Sequence, residues 1–188
     1  PQYLSVTAID QAMNYGYADV QIIRDSTPPR ISIMAPAEGK IISTQTISVT
    51  GTIEDATPDG IMVSLNGSLS QPLSLSGSSF SGQIGLASGP DALQFEARDK
   101  AGNSATIVRH VILDNELPIV SIYTPLSHAT LSGQAAVAVT ASDMLSGVQS
   151  VALLVDGIQK ASVTQAPYVF TVDTLRLAAG GYTLTAKA

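Results

Sequence analysis

The feature that most constrains this chain is a turn sequence that returns. Ala97-Arg98-Asp99-Lys100-Ala101-Gly102-Asn103 has a counterpart in Ala8-Ile9-Asp10-Gln11-Ala12-Met13-Asn14, and a third copy begins in Leu184-Thr185-Ala186-Lys187-Ala188. Each copy follows a short alternating apolar run: Leu4/Val6/Ala8, Leu93/Phe95/Ala97 and Leu184/Ala186/Ala188. The copies lie roughly 90 positions apart, and a fixed period of that length means tandem units rather than one large domain. An alternating run that enters Asp-x-Ala-Gly-Asn and leaves into a second run reads as a β-hairpin. Its Gly and Asn are expected to take the positive φ such turns need.

The repeat sets the boundaries. Residues 1–26 read as the last two strands of a preceding unit, with strands over Tyr3–Ile9 and Tyr17–Arg24. Asp25-Ser26-Thr27-Pro28-Pro29 follows as a linker, because two prolines remove N–H donors and fix φ. The same punctuation recurs in Asp114-Asn115-Glu116-Leu117-Pro118. Residues 27–115 are then one complete domain and residues 116–188 a second that lacks its final strand. Within the first, Ile31/Ile33, Ile47/Val49/Ile53, Ile61/Val63/Leu65, Phe80/Ile84/Leu86 and Leu93/Phe95/Ala97 alternate with polar residues. Asn66-Gly67 is a two-residue hairpin signal, and Asp156-Gly157 repeats it. Val120/Ile122, Val137/Val139 and Tyr168/Phe170/Val172 carry the plan into the second domain. No apolar set holds a 3.6-residue period over three turns, so no helix is predicted. The fold class is all-β: tandem antiparallel Greek-key sandwiches, set end to end as a rod.

Composition narrows the function classes. The formal charge is −6 and 13% of residues are charged. A Lys/Arg-poor acidic chain lacks the electrostatic footprint of a nucleic-acid binder, so nucleic acid is not expected as a partner. No apolar run reaches membrane-span length, so no membrane insertion is expected. There is no cysteine, hence no disulfide framework, but a sandwich of this size buries a workable core without one. The sequence opens and stops within repeats, so any targeting segment is expected outside it.

The segments Ser146-Gly147-Val148-Gln149-Ser150-Val151, Val155-Asp156-Gly157, Ala166-Pro167-Tyr168 and Gly181-Tyr182-Thr183-Leu184 resemble one group of bacterial Ig-like repeats. Gly51-Thr52-Ile53, Leu65-Asn66-Gly67 and Ala101-Gly102-Asn103 resemble a sister group. The resemblance spans essentially the whole chain. It implies an extracellular or cell-surface setting, as in adhesins, stalk proteins and accessory modules of secreted polysaccharide hydrolases. It implies no ligand, because these motifs are turn and core residues.

Catalytic chemistry has little to stand on. His110 falls in a predicted strand and His128 in a loop, neither with a Ser/Asp constellation at a known spacing, and both read as structural. No phosphate loop or zinc spacing is present. Sugar binding favours exposed aromatic platforms. There is no Trp, Tyr168 and Phe170 fall on core positions, and Tyr15 and Tyr17 are the one aromatic pair expected to be exposed together. Asn66-Gly67-Ser68 fits the N-glycosylation pattern on a hairpin tip, but a turn explains it fully.

Calcium is the ligand with a positional argument. In an Ig-like sandwich the incoming linker lies beside the loops that join strands B–C and F–G. Here those neighbours are Asp25 in the linker, Glu54, Asp55 and Asp59 after strand B, and Asp99 and Asn103 in the F–G turn. Such a set offers many oxygen donors, as a hard cation requires. The linker around Asp114 and Glu116 also resembles cadherin junctions in outline, without the other cadherin acidic motifs. The competing reading is that Asp99 and Asn103 only hydrogen-bond their own turn.

The sequence thus reads as a non-catalytic extracellular structural or adhesive module, with Asp25, Asp55, Asp59, Asp99 and Asn103 as the candidate ligands of an interdomain calcium. Its expected partners are neighbouring repeats of the same chain. The alternatives are an accessory module of a secreted polysaccharide-degrading enzyme, or a filament subunit that exchanges strands with other copies. In that last case the segment Tyr17–Arg24 corresponds by repeat position to the strand expected after Ala188. Open strand edges recruit such partners.

Overall fold

The computed structural model describes residues 2–188. It divides into two compact units, one ending at Leu113 and the other beginning at Asp114. The first opens with a hairpin of β1 (Gln2–Ile9) and β2 (Tyr15–Ile22), whose two-stranded sheet pairs with no other described strand. Strand β2 starts two residues before and ends two residues before the expected span. Its residues are exposed throughout.

Nine strands then build a sandwich: β3 (Arg30–Ala35), β4 (Lys40–Ile42), β5 (Thr46–Glu54), β6 (Pro58–Leu65), β7 (Gln71–Pro72), β8 (Ser74–Ser76), β9 (Ser79–Gly85), β10 (Gly89–Asp99) and β11 (Ser104–Leu113). One sheet runs β3-β5-β9-β8 and the other β4-β11-β10-β6-β7. This is the immunoglobulin strand order, with the first strand split so that β3 serves one sheet and β4 the other. The chain changes sheets after Pro36, where a residue without an N–H ends the first ladder. The Ala35–Pro36 bond is cis, as is Thr124–Pro125 at the matching place in the second unit.

Period-two alternation is the reason these runs are strands. In β10 every second residue from Gly89 to Asp99 is buried, because one face of the pleat meets the opposite sheet. Val49 and Ile53 of β5, Ile61 and Val63 of β6, and Leu93, Phe95 and Ala97 of β10 close the core with Phe80 and Ile84 of β9. Phe80 and Phe95 meet across the sandwich with ring centroids 6.1 Å apart at 41°. Burying an apolar side chain of that kind stabilises by about 1.5–3 kcal/mol. Gly51 lies between Val49 and Ile53 on the buried face of β5. A Cβ there would stand 2.2 Å from the Ser32 carbonyl oxygen and 2.3 Å from Phe80 Cζ.

The second unit contains β12 (Ile119–Thr124), β13 (Gln134–Ser142), β14 (Val151–Val155), β15 (Ile158–Val163), β16 (Tyr168–Asp173) and β17 (Leu184–Lys187). Its sheets are β12-β13-β16 and β15-β14-β17. Val137, Val139, Val151, Leu153, Tyr168, Phe170 and Val172 form the core, so Tyr168 and Phe170 are inward as the alternation requires. The described helical structure is one 3-10 turn, Thr174–Arg176, capped by the Asp173 carboxylate on the Leu175 amide.

The two hairpin signals behave differently. Asp156 and Gly157 have φ of 47° and 78° and join β14 to β15 as a two-residue loop, with Val155 opposite Ile158. Asn66 and Gly67 also take positive φ, at 51° and 74°. There the return strand shrinks to Gln71–Pro72, because Ser68–Ser70 intervene and Pro72 cannot donate to a ladder.

A candidate cation site beside the repeated turn

The turn after β10 is built around Asp99, which is 3% exposed. Asp99 Oδ1 accepts from the Asn103 backbone N–H and Oδ2 from Asn103 Nδ2, each at 2.8 Å. The turn between β1 and β2 repeats this: Asp10 Oδ1 accepts from Asn14 N and Oδ2 from Asn14 Nδ2, again at 2.8 Å. In both, Asn serves through its side-chain amide. The positive φ falls one residue earlier, on Gly102 (91°) and Met13 (66°), which corrects the expectation that Asn adopts it. These bonds favour the ionised acid. The Asn103 side chain holds the Asp99 carboxyl below the ordinary carboxylate value, against the opposing effect of burial. Asn14 does the same for Asp10.

What separates the two copies is their surroundings. Beside Asp99 lie two further carboxylates, from Asp25 in the linker and Asp55 between β5 and β6. One oxygen of each of the three lies within 4.8 Å of the others. Asp25 Oδ1 accepts from Thr27 N at 3.0 Å and Asp55 Oδ1 from Thr57 N at 2.7 Å, so each side chain is fixed by its own loop. Asn103 Nδ2 also reaches the Asp25 carbonyl oxygen at 3.5 Å. None of the ion pairs among the described residues involves Asp25, Asp55 or Asp99.

The structure therefore brings together three of the predicted acids, with Asn103 as their tether. Asp59 is not among them. The pairing of β6 with β10 skips from Gly60 to Pro58, so Asp59 is the extra residue of a bulge, and it is exposed. Glu54 turns instead to Arg30, at 3.8 Å. The second unit repeats two of the three local devices. Asp114 accepts from Glu116 N at 3.2 Å, as Asp25 does from Thr27. Asp143 accepts from the amides of Leu145, Ser146 and Gly147, as Asp55 does from Thr57.

The remaining candidates have structural partners. His110 Nδ1 lies 2.8 Å from Glu38 Oε1, while Glu38 Oε2 accepts from the His110 N–H and faces the Arg109 guanidinium at 3.4 Å. These bonds, the His110 side chain foremost, hold the Glu38 carboxyl below its ordinary value. The arrangement ties the loop before β4 to β11. His128 stands in a loop with φ of 63°. Asn66 is engaged at both ends: Nδ2 donates to Asp91 Oδ1 at 2.7 Å and Oδ1 accepts from Ala92 N at 2.8 Å. The nitrogen a glycan would need is thus held by a carboxylate that is 2% exposed. Asp156 makes the matching contact with Thr183 N at 2.8 Å. Sequence reasoning missed both pins, although the recurrence of Asn66 and Asp156 was a signal for them. Tyr15 and Tyr17 are exposed and share a face of β2, but Tyr3, Tyr123 and Tyr182 are exposed as well. Among the described residues no helix is long and apolar enough to cross a membrane.

The family model described as a bacterial Ig domain matches residues 118–186. The model described as glucodextranase domain B matches residues 29–115. No curated protein sequence matches the chain. Among solved structures, the fibronectin(III)-like modules of Clostridium thermocellum CbhA align at 22% identity and a TM-score of 0.45, over 84% of this chain and 85% of that one. A 1.5-MDa bacterial ice-binding adhesin aligns at 19% identity and 0.46, over 98% and 71%. The endo-beta-1,4-mannanase from Thermotoga petrophila aligns at 17% identity and 0.42, over 49% of this chain and 21% of the enzyme. The matched segments and the strand orders into which they fold make residues 118–186 a bacterial Ig domain and the chain a tandem of Ig-like β-sandwiches.

Proposed function

We propose that the chain is a non-catalytic structural or adhesive module of an extracellular or cell-surface protein, in which Asp25, Asp55 and Asp99 hold a calcium ion. The observation that carries the calcium reading is the convergence of three carboxylates from three separate segments, with no cationic side chain among the described residues paired to them. Like charges this close repel, and a divalent cation with oxygen ligands turns that repulsion into attraction. Bound calcium would fasten the linker at Asp25 to the two loops beside it, so that the spacer is stiffest where a linker meets a sandwich. Thermal melting in millimolar calcium and in chelator tests this. A ligand present at 100 times its Kd adds about 2.7 kcal/mol to the folded state. A clear upward shift with calcium, lost in Asp55→Asn, is expected. Superimposable melts would leave these residues as turn-formers only.

The second reading is an accessory module of a secreted polysaccharide-degrading enzyme. It is supported by the match of residues 29–115 to glucodextranase domain B. Co-sedimentation with insoluble polysaccharide, reduced by Tyr15→Ala with Tyr17→Ala, would favour it. The structural reading expects the chain to stay in the supernatant.

A further inference from the structure

We propose that Asn66 is a site of spontaneous deamidation, in which the Gly67 backbone nitrogen converts the side-chain amide into a carboxylate. The closed hairpin holds the reaction back through Asp91 and Ala92, and the product cannot remake the contact with Asp91. The inference is independent of the calcium reading.

An asparagine followed by glycine carries its own nucleophile. The Gly67 nitrogen attacks Asn66 Cγ, the new C–N bond closes a five-membered imide, and the Cγ–Nδ2 bond breaks. The proton of the Gly67 N–H leaves with Nδ2 as ammonia. Solvent water then opens the imide at either carbonyl, leaving an aspartyl or an isoaspartyl residue at position 66, with no change of oxidation state. Glycine hinders the attack least, since it has no Cβ. Asn66 and Gly67 are both exposed, so water reaches the site.

In the closed hairpin the amide is engaged at both ends. Asn66 Nδ2 donates to Asp91 Oδ1 at 2.7 Å, and Asn66 Oδ1 accepts from Ala92 N at 2.8 Å. The backbone is fixed as well. Asn66 N–H donates to the Ala92 carbonyl at 2.9 Å and Ser68 N–H to the Leu65 carbonyl at 2.8 Å. Ring closure joins Cγ of one residue to the nitrogen of the next, so the amide must first rotate away from Asp91 and Ala92. The bond to Asp91 is to a charged group, which is the stronger kind. The reaction therefore waits on opening of the turn between β6 and β7, a local event that costs less than global unfolding.

Deamidation replaces the donor Nδ2 with an acceptor oxygen. Asp91 is 2% exposed, and its other oxygen accepts from the Ala87 N–H at 3.0 Å. The new carboxylate would face this buried one at hydrogen-bond distance with no proton between them, where like charges repel and neither is well solvated. The second unit shows that an acid at this turn position is otherwise compatible with the fold. Asp156 has φ of 47° against 51° for Asn66, and it too precedes a glycine. It accepts from Thr183 N at 2.8 Å, as Asn66 accepts from Ala92 N. The residue before Thr183 is Tyr182, where the first unit has Asp91. It is Asp91, then, that makes the product a misfit. A transient opening of the first unit's turn is thereby made permanent, and the modified fraction records how often the turn has opened.

Peptide mapping by mass spectrometry tests the site on the full chain, incubated at mildly alkaline pH both folded and unfolded in urea. Conversion at Asn66 should be about tenfold or more slower in the folded chain. In urea, where the turn geometry no longer matters, Gly67→Ala should slow it by a similar factor. Asp91→Ala frees Nδ2 and should bring the folded rate to within about threefold of the unfolded one, with calorimetry confirming that the first unit still melts. The misfit of the product is read separately. Asn66→Asp should lower the melting of the first unit by roughly 4–24 °C. Adding Asp91→Asn should restore at least half of that loss, because an amide again lies between the two side chains. Equal conversion of folded and unfolded chain overturns the proposal. So does a Gly67→Ala chain that converts as fast as the parent in urea, or an Asn66→Asp chain that melts with the parent. An Asn66→Asp loss that Asp91→Asn leaves untouched overturns the part given to Asp91.

Discussion

Replacing Gly51 with Ala should cripple the first sandwich, although it adds a single methyl group. Gly51 lies in β5 opposite Phe80 on one side and Ile33 on the other. The new Cβ would sit 2.2 Å from the Ser32 carbonyl oxygen, 2.3 Å from Phe80 Cζ and 2.7 Å from Phe80 Cε1. The ring can give only by moving off Phe95, and the carbonyl only by distorting the β3–β5 ladder. Overpacking of this kind costs about 1–3 kcal/mol, and each ladder hydrogen bond lost adds about 1 kcal/mol. A total near 2–4 kcal/mol at ~4–8 °C per kcal/mol predicts a fall of roughly 8–32 °C in the melting of the first unit. Differential scanning calorimetry reads it, and two substitutions calibrate it. Gly85→Ala meets nothing within 4 Å and should be nearly silent. Gly82→Ala meets only the flexible end of Leu73, at 2.4 Å, and should cost less than Gly51→Ala. Adding Phe80→Leu to Gly51→Ala should restore only part of the loss, because the Ser32 oxygen stays in place. A Gly51→Ala protein melting within about 2 °C of the parent would refute the packing argument. Complete rescue by Phe80→Leu would refute the role given to the carbonyl.

Three further outcomes are expected. Asp99 has a carboxyl held below its ordinary value of 3.8, so its contribution to stability is present above that value and is lost as pH falls through the lower folded value. Asn103→Ala, by removing the main cause, should lower the melting temperature at neutral pH and flatten its decline below about pH 4, measured by melts across pH 2–7. Asn66→Ala removes the Nδ2 donor from the buried Asp91 carboxylate and should cost about 1–3 kcal/mol in urea unfolding. Leu153→Ala removes a side chain that is 1% exposed from the second core and should cost about 2–5 kcal/mol. Calorimetry should show that loss in one transition and leave the transition sensitive to Gly51→Ala where it was.

Alternation made the sandwiches legible because a strand buried on one face has a period no other element shares. Leu93, Phe95 and Ala97 could be assigned to the core from spacing alone. What spacing could not supply was anything decided by a partner distant in sequence. Asn66-Gly67 carries the same local signal as Asp156-Gly157, and the turn geometry is indeed the same. The hairpins diverge because Pro72 sits on one return strand and because the Asn66 side chain is claimed by Asp91, a residue of β10. Likewise Glu38 gives no sign in sequence that it will bind His110, since the contact exists only once β4 and β11 lie side by side.

The acidic residues carry the same lesson to the candidate site. Fold topology was enough to bring the linker, the loop after β5 and the turn after β10 into one neighbourhood, and Asp25, Asp55 and Asp99 met there. It was not enough to aim each side chain. Asp55 and Asp59 are four residues apart in the same loop region, but the bulge at Asp59 inserts one residue into β6 and breaks its pairing with β10. A residue count cannot foresee a bulge, since the inserted position has no partner to reveal it. Asp10 supplies the internal control. It has the same turn, the same Asn and the same hydrogen-bond lengths as Asp99, yet it is exposed and lies outside the acidic cluster. The turn motif by itself therefore accounts for the lowered carboxyl in both copies and for the cluster in neither. The cluster follows from the linker and the β5–β6 loop, so Asp25 and Asp55 are the residues whose substitution separates a cation site from a well-made turn.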